Sequence, residues 1–283
     1  MNSGLAHLEV PDAAGAGLIR ALVQYPTEVS ARGVQIGSYQ FDATLDAPVA
    51  KGRFPVCLIS HGGGGSHLLY RSITTHLSEQ GFITVSVEHP GDNRRDRSLM
   101  HTDQAAIERP RHVSRVIDAL LNDPRFERAA IPQGMSIVGH SMGGYTALAL
   151  LGGQPWSRTG QSLPVSADPR IACGVLLAPA TDWYRAPHAL EQVRAPLLVM
   201  VGGQDTLTPP EAIRAALAGL PASTSLTWHL VERAGHFAFL TPFPAAMVSP
   251  DFPPSQDPDG FDRVRFHQEL PQLILDFLFR HRA

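Results

Sequence analysis

The chain has 283 residues, 43% of them hydrophobic, which is ample for the buried core of one large domain. The formal net charge of −3 shows no basic excess, so a nucleic-acid partner is not expected. No segment reaches the roughly 18 consecutive apolar residues that a membrane span needs. Residues 1–10 also lack the charged start and apolar centre of a signal peptide, so we expect a cytoplasmic protein.

Strand-like and helix-like segments alternate along the chain. The predicted strands are 18–25, 55–60, 83–87, 135–138, 171–177, 196–201 and 225–231. The predicted helices are 67–80, 109–121, 145–151, 210–220 and 271–281. Because strands rich in Val, Ile and Leu are separated by helices, the pattern predicts an α/β fold with a mostly parallel central sheet and helices on both faces. We expect a single domain over 1–283 with no large separate cap domain.

The two cysteines, Cys57 and Cys173, both lie inside apolar runs that are predicted to be central strands. Neither lies at a strand-end turn, where a catalytic cysteine would be expected. We therefore interpret both as small buried hydrophobic residues and expect no disulfide.

The sequence from Gly139 to Gly144 reads Gly-His-Ser-Met-Gly-Gly and stands between a predicted strand and a predicted helix. A Gly-x-Ser-x-Gly motif at such a strand-to-helix turn is the nucleophile elbow of α/β-hydrolases, which exposes the serine hydroxyl above the sheet. This context predicts that Ser141 is a nucleophile. The alternative is a helix N-cap serine in a glycine-rich turn.

A serine nucleophile needs a base, which is itself oriented by an acid, and in this fold both follow the serine along the chain. The segment 199–205 is an apolar strand that runs into a Gly-Gly turn containing Asp205, so we predict Asp205 as the acid, with Asp182 as its rival. A turn or N-cap aspartate is the alternative role for Asp205. Of the thirteen histidines, His236 follows the last predicted strand in a short loop and is the predicted base.

Four consecutive glycines follow His61 at the end of another predicted strand. Acyl transfer creates an oxyanion that needs backbone N–H donors, and this loop can supply one of them. The amide of Met142, directly after the nucleophile, is the predicted second donor. No Lys-Ser or Lys-Thr follows the glycines, so they do not form a phosphate-binding P-loop. For the proposed reaction we expect neither a cofactor nor a metal.

These motifs, together with the charged segment from Glu88 to Ser98, resemble serine α/β-hydrolases of the dienelactone-hydrolase-like class, and more closely the branch of platelet-activating-factor acetylhydrolase. The resemblance implies that the loop's oxyanion donor is the amide of Gly63, with Gly62 as a close alternative. Dienelactone hydrolases carry a cysteine at the elbow. The serine at position 141 therefore favours hydrolysis of ordinary esters over lactones.

Three connections could overhang the proposed nucleophile, at 154–170, 180–193 and 241–260. The third contains six prolines between Pro242 and Pro258, so we expect an ordered wall near the active site with little helix. Four aromatic residues are candidates for the substrate pocket, although each could equally belong to the core: Tyr70, Trp183, Phe237 and Phe239.

The sequence therefore predicts a serine carboxylic-ester hydrolase that acts on a small or moderately hydrophobic ester. One alternative is a polyester or cutinase-like hydrolase, and another is a non-catalytic receptor for a small ligand on a hydrolase scaffold. The segment 92–97 is either a solvated charged loop or a contact for polar or anionic substrate groups.

Overall fold

A mixed sheet forms the centre of the structure, which is a computed structural model describing residues 1–12 and 17–281. Residues 13–16 and 282–283, which fall within the predicted domain, lie outside the described residues. The strands are β1 (Asn2–Pro11), β2 (Leu18–Thr27), β3 (Val34–Ile36), β4 (Tyr39–Phe41), β5 (Thr44–Leu45), β6 (Val56–Ser60), β7 (Ile83–Val87), β8 (Met135–His140), β9 (Ile171–Leu177), β10 (Leu197–Gly202) and β11 (Leu226–Val231). The α-helices are α1 (Arg71–Glu79), α2 (Asp103–Asn122), α3 (Met142–Leu150), α4 (Pro210–Leu217) and α5 (Arg263–His281).

The strands of the main sheet follow the order β11-β10-β9-β8-β6-β7-β2-β1-β5. From β11 to β7 every neighbouring pair is parallel, whereas β2 runs antiparallel to both β7 and β1. The predicted mostly parallel sheet is confirmed. Its parallel half places the carboxyl ends of β6, β7, β8, β9, β10 and β11 along one edge.

The chain reverses its direction across the sheet between β6 and β8. After β6 it moves outward to β7, then returns past β6 to β8 and continues to β11. In open α/β sheets, ligands bind beyond the carboxyl ends of the strands at such a switch point. The loop after β6 and the turn after β8 therefore meet at the position where a ligand site is expected.

Helices cover both faces of the sheet, as predicted. Side chains of α2, α3 and α4 pack into one apolar cluster, and those of α1 and α5 pack into a second. Cys57 and Cys173, predicted to be buried, are free thiols that lie in the second cluster. Among the described helices, none is both long enough and apolar enough to cross a membrane.

The first strand is an element that the sequence interpretation missed. β1 pairs with β2 over its full length, from Asn2 opposite Thr27 to Pro11 opposite Leu18. Its second half alternates exposed His7 and Glu9 with buried apolar neighbours. That alternation is typical of a strand with one covered face and was a usable signal.

Two helices begin earlier than predicted, and each contains a proline close to the start that the apolar pattern predicted. α2 begins at Asp103 and contains Pro110, and α5 begins at Arg263 and contains Pro271. The Thr102 hydroxyl caps α2 by accepting a hydrogen bond from the amide of Ala105 at 3.2 Å. An interior proline removes one helical hydrogen bond, and both helices tolerate that loss.

The proline-rich segment 241–260 contains two short 3-10 turns, Ala245–Met247 and Pro253–Ser255. Arg263 anchors it by donating to the Asp257 carboxylate and to the carbonyls of Pro254 and Gln256. At the other end, the amide of Thr241 donates to the carbonyl of Leu69 at 2.8 Å. The segment is thereby tied both to the start of α5 and to the loop that precedes α1.

Candidate active site

The turn that carries Ser141 joins β8 to α3 in a strained conformation. Ser141 has φ 54° and ψ −117°, a region that non-glycine residues rarely occupy and that concentrates at functional sites. A Cβ atom at Gly139 would collide with the carbonyl oxygen of Gly143, and one at Gly143 would collide with that of Ser60. The two glycines of the motif are therefore required by the close approach of backbone segments.

Asp205 and His236 lie at the ends of the neighbouring strands β10 and β11 and contact each other directly. His236 Nδ1 donates to Asp205 Oδ2 at 2.8 Å. The other carboxylate oxygen, Oδ1, accepts from the amides of Leu207 and Thr208, both at 2.8 Å. Asp205 is thus both a turn aspartate and the partner of His236, so the two roles considered for it are compatible.

Asp205 is held in its ionised form. Burial by itself would raise the pKa of this carboxyl, but the hydrogen bonds from His236 and Thr208 outweigh burial and lower it. An ionised Asp205 accepts the Nδ1–H of His236, which leaves Nε2 as the ring nitrogen able to take a proton. The arrangement fixes the histidine tautomer that a general base needs.

His140, next to Ser141, is a structural histidine that ties the elbow to the loop of His236. Its Nε2 donates to the carbonyl of His236 at 2.9 Å, and its Nδ1 accepts from the Tyr70 hydroxyl at 3.2 Å. Burial, followed by the charge of His236, lowers the pKa of His140 to about 3, so the ring stays neutral. Tyr70 in turn accepts a long hydrogen bond, 3.4 Å, from the amide of Gly62.

The amides of the glycine loop after β6 differ in whether they have a hydrogen-bond acceptor within the protein. Gly62 donates to Tyr70, Gly64 donates to Asp92 Oδ1 at 2.8 Å, and Gly65 donates to the carbonyl of Gly62 at 3.0 Å. Within residues 1–12 and 17–281 this leaves the Gly63 amide without an acceptor. Of the two glycines considered as oxyanion donors, Gly63 is the one whose N–H is available.

A cavity of about 480 Å³ opens at this edge of the sheet. Ser141, His236, Met142 and the glycine loop all line it, so the candidate nucleophile, base and oxyanion donors face one space. Its other walls are mainly apolar: Leu69, Tyr70, Met100, Trp183, Leu207, Phe237, Leu240, Phe252 and Pro254. A volume of this size suits a small organic ligand.

Three of the four aromatic candidates line this cavity, and one does not. Tyr70 contributes little surface to the cavity because it is 1% exposed, whereas Trp183 and Phe237 are more exposed and contribute more. For Phe239 the core alternative applies: it is fully buried, with its ring centroid 6.3 Å from that of His140. It is a buried residue of the short helical turn His236–Phe239, and its side chain does not reach the cavity.

Asp182, the rival acid, lines the cavity but does not contact His236. Its carboxylate pairs with Arg185 at 2.5 Å, and its side chain is 68% exposed. The charged segment 92–97 divides into two parts: Asp92 is 1% exposed, whereas Arg94 and Arg97 are exposed and line the cavity. Asp92 is therefore not part of a solvated loop, whereas exposure and a place in the cavity lining make Arg94 and Arg97 compatible with either role considered for the segment.

Thr208 is a site residue that the sequence interpretation missed. Its hydroxyl donates to Asp205 Oδ2 at 2.7 Å and lies 3.1 Å from His236 Nδ1. The spacing Asp-x-x-Thr just before a helix was the available signal, since such an aspartate accepts hydrogen bonds from the amides that follow it. Among the described residues, no cluster of three or more His, Cys, Asp or Glu side chains is arranged to hold a metal ion.

The chain is similar to known hydrolases in sequence and in fold. Residues 10–116, less than half of the chain, match the family of platelet-activating factor acetylhydrolase, isoform II. A ferulic acid esterase from Streptomyces cinnamoneus superposes with a TM-score of 0.78 at 18% identity, covering 99% of this chain and 90% of that one. A dienelactone hydrolase from Anabaena variabilis superposes with a TM-score of 0.55 at 18% identity over the full length of both chains.

A third similar structure is an acylaminoacyl peptidase from Pyrococcus horikoshii, with a TM-score of 0.64 at 14% identity. All of this chain matches 42% of that longer one. At such low identities the superpositions show only that the folds are alike. The sequence match shows, in addition, that residues 10–116 are similar to a hydrolase family. The chain thus has the fold of α/β-hydrolases, and its residues 10–116 are similar in sequence to the family of platelet-activating factor acetylhydrolase, isoform II.

Proposed function

We propose that this protein is a serine carboxylic-ester hydrolase that works through an acyl-enzyme. The observation that carries the proposal is the strained Ser141, which lines the same cavity as a His236 ring already bonded to Asp205. A nucleophile, a base and an orienting acid on three strand ends are the parts that this chemistry requires.

In the first half-reaction, Ser141 Oγ attacks the ester carbonyl carbon while its proton moves to His236 Nε2. The carbonyl oxygen becomes an oxyanion, which the amides of Gly63 and Met142 stabilise. The intermediate then collapses: the bond to the alcohol oxygen breaks, that oxygen takes the proton from Nε2, and the acyl group remains on Ser141. Asp205 stabilises the transient imidazolium without taking its proton.

In the second half-reaction, water replaces the alcohol. His236 Nε2 takes a proton from the water as its oxygen attacks the acyl carbon, and the same two amides stabilise the second oxyanion. Collapse of this intermediate returns the proton to Ser141 Oγ and releases the carboxylic acid. The enzyme is restored without any other reactant.

The proposed substrate is a small or moderately hydrophobic ester. The apolar lining supports a hydrophobic acyl or alcohol group, and a cavity of about 480 Å³ lies within the range usual for small organic ligands. Two of the similar proteins, a ferulic acid esterase and a dienelactone hydrolase, are named for cleavage of an open or a cyclic ester.

The test is the hydrolysis of p-nitrophenyl esters of increasing acyl length by the wild type and by Ser141→Ala. Replacing the nucleophile should lower kcat by roughly 10⁶-fold while circular dichroism stays unchanged. Ser223→Ala, in an exposed loop before β11, is the matched control and should keep full activity. Undiminished turnover in folded Ser141→Ala would refute the proposal.

The same substrate series separates the two alternatives. A polyester hydrolase would release product from an insoluble polyester film at a rate comparable with that on soluble esters. A non-catalytic receptor would bind an ester saturably and leave it intact. Rapid Ser141-dependent cleavage of short soluble esters is the result that the proposed function predicts.

A further inference from the structure

A buried ion pair lies directly beneath the glycine loop. Arg109 on α2 and Asp92 in the loop after β7 are each 1% exposed, and Arg109 Nη1 donates to Asp92 Oδ2 at 2.7 Å. Neither residue lines the cavity. The pair is therefore outside the proposed catalytic groups, yet both partners bond to the loop that supplies an oxyanion donor.

Each partner holds a peptide group on one side of Gly63. Arg109 Nη2 donates to the carbonyl of His61, which fixes the peptide group between His61 and Gly62. Asp92 Oδ1 accepts from the amide of Gly64 at 2.8 Å, which fixes the peptide group between Gly63 and Gly64. The peptide group that carries the Gly63 N–H lies between these two.

The carbonyl of that middle peptide group, Gly62 C=O, accepts two hydrogen bonds on the side away from the Gly63 N–H. Gly62 O accepts from the amide of Gly65 at 3.0 Å and from His61 Nδ1 at 2.7 Å. Because a trans peptide group is planar, with C=O and N–H on opposite sides, the Gly63 N–H must point the other way. Holding the carbonyl inward thus aims the proposed oxyanion donor outward.

His61 takes part in this arrangement as a neutral ring of fixed tautomer. Burial, followed by the charge of Arg109, lowers the pKa of His61 well below its ordinary value. Nδ1 donates to Gly62 O, and Nε2 accepts from the amide of His89 at 3.2 Å. The positive charge of Arg109 therefore also keeps a proton off the histidine that supports the loop.

The same guanidinium also contacts Thr146, which bonds to the first turn of α3. Arg109 Nε donates to Thr146 Oγ1 at 3.0 Å, and that hydroxyl donates to the carbonyl of Met142 at 2.9 Å. One side chain thus bonds to the glycine loop and, through Thr146, to the carbonyl of Met142, the residue whose own amide is the second proposed donor.

We propose that the Arg109–Asp92 pair positions the oxyanion hole, by fixing the peptide groups on both sides of the Gly63 N–H and linking them to the first turn of α3. Both are positioning residues, since they act through the loop and contact no substrate. The inference rests on the proposed ester hydrolysis. A buried ion pair contributes little net stability compared with apolar residues, so stability alone gives no reason for its presence.

The first test variant is Arg109→Lys, which keeps a positive charge beside Asp92 and so should fold. An ammonium group lacks the planar fork that reaches Asp92, His61 and Thr146 together. With p-nitrophenyl acetate, kcat should fall by roughly 10- to 100-fold, with KM changed by less than about threefold, because the lost interaction acts mainly in the transition state. Affinity for a trifluoromethyl ketone, which forms a tetrahedral adduct, should fall by a similar factor.

The second variant, Asp92→Leu with Arg109→Met, removes both charges. Replacing a buried pair by apolar residues often preserves stability, so the melting temperature should stay near that of the wild type while kcat remains low. Asp168→Asn is the matched control, because Asp168 is buried and pairs with Arg170 at 2.6 Å away from the cavity. It should lower the melting temperature and leave kcat within about twofold of wild type.

Wild-type kcat in Arg109→Lys, or recovery of kcat along with stability in the double variant, would overturn the positioning role. An equal loss of kcat in Asp168→Asn would overturn it as well, because the effect would then follow stability. Failure of the proposed function is separate: it would show as wild-type esterase activity that persists in Ser141→Ala.

Discussion

Replacing Asp205 by asparagine separates its two roles. The oxygen of the new carboxamide can take over from Oδ1 and keep the hydrogen bonds from the amides of Leu207 and Thr208, both 2.8 Å in the wild type. The NH₂ group then stands where Oδ2 accepts from His236 Nδ1. A donor now faces a donor, so the ring adopts the other tautomer and presents Nε2–H, which cannot accept a proton.

The size of the effect follows from that change of tautomer. Loss of the correct histidine tautomer in a Ser-His-Asp site costs roughly 10⁴-fold in kcat, or about 5.4 kcal/mol of transition-state stabilisation. Stability should change little, because the turn hydrogen bonds persist. Asp205→Ala should lose kcat to a similar extent and also lose stability, on the order of 1–2 kcal/mol, since two partly buried amides then lack their acceptor.

The assay is steady-state hydrolysis of p-nitrophenyl acetate together with urea denaturation of wild type, Asp205→Asn and Asp205→Ala. We expect KM to remain near the wild-type value in both variants, because Asp205 does not line the cavity. A kcat for Asp205→Asn within tenfold of wild type would refute the orienting role, and equal stability of the two variants would refute the turn role.

The remaining predictions concern the elbow, the buried histidine and the cavity arginines. Gly143→Ala should yield no folded protein, whereas Gly219→Ala, where the nearest atom would lie 3.4 Å away, should fold normally; a folded Gly143→Ala by circular dichroism would contradict this. Because the pKa of His140 is about 3 when folded and near 6.5 when unfolded, the unfolded state binds a proton first and stability falls as pH drops from about 6.5 toward 3. At pH 5 His140 alone should account for roughly 2 kcal/mol of the loss measured by urea titration, so His140→Gln should lose about that much less than wild type, while the loss due to His61, whose pKa burial also lowers, remains. Exposed Arg94 and Arg97 line the cavity together with Arg158, so an ester bearing a carboxylate should show a kcat/KM that falls with added salt, and Arg94→Gln with Arg97→Gln should weaken that salt dependence; an unchanged dependence would contradict this.

Much of the fold was predictable because its signals are local. Apolar runs of the length of a strand, separated by helical patterns, predict a parallel sheet, and β6 to β11 follow that rule. The elbow was predictable because Gly139 and Gly143 mark positions where two backbone segments come too close for a side chain. The outer strand β1 was missed because it was considered only as a possible signal peptide.

What the sequence could not show depends on contacts between distant segments. Phe237 and Phe239 stand two residues apart and look alike, yet only one lines the cavity, because one short helical turn directs the other into the core. The charged segment was equally ambiguous. Asp92 is buried only because Arg109, 17 residues away on α2, reaches it beneath the glycine loop.

The most direct measurement for the central proposal is rapid mixing of the enzyme with p-nitrophenyl acetate, followed by acid quench and mass spectrometry of the digested protein. A Ser141 acyl-enzyme predicts a burst of p-nitrophenol close to one equivalent when deacylation is slow, and an acetyl group on the peptide that contains Ser141. Asp205→Asn should slow the burst, and a fluorophosphonate added first should remove it. Turnover with no acyl group on Ser141 at any quench time, or an acyl group on another residue, would contradict the mechanism.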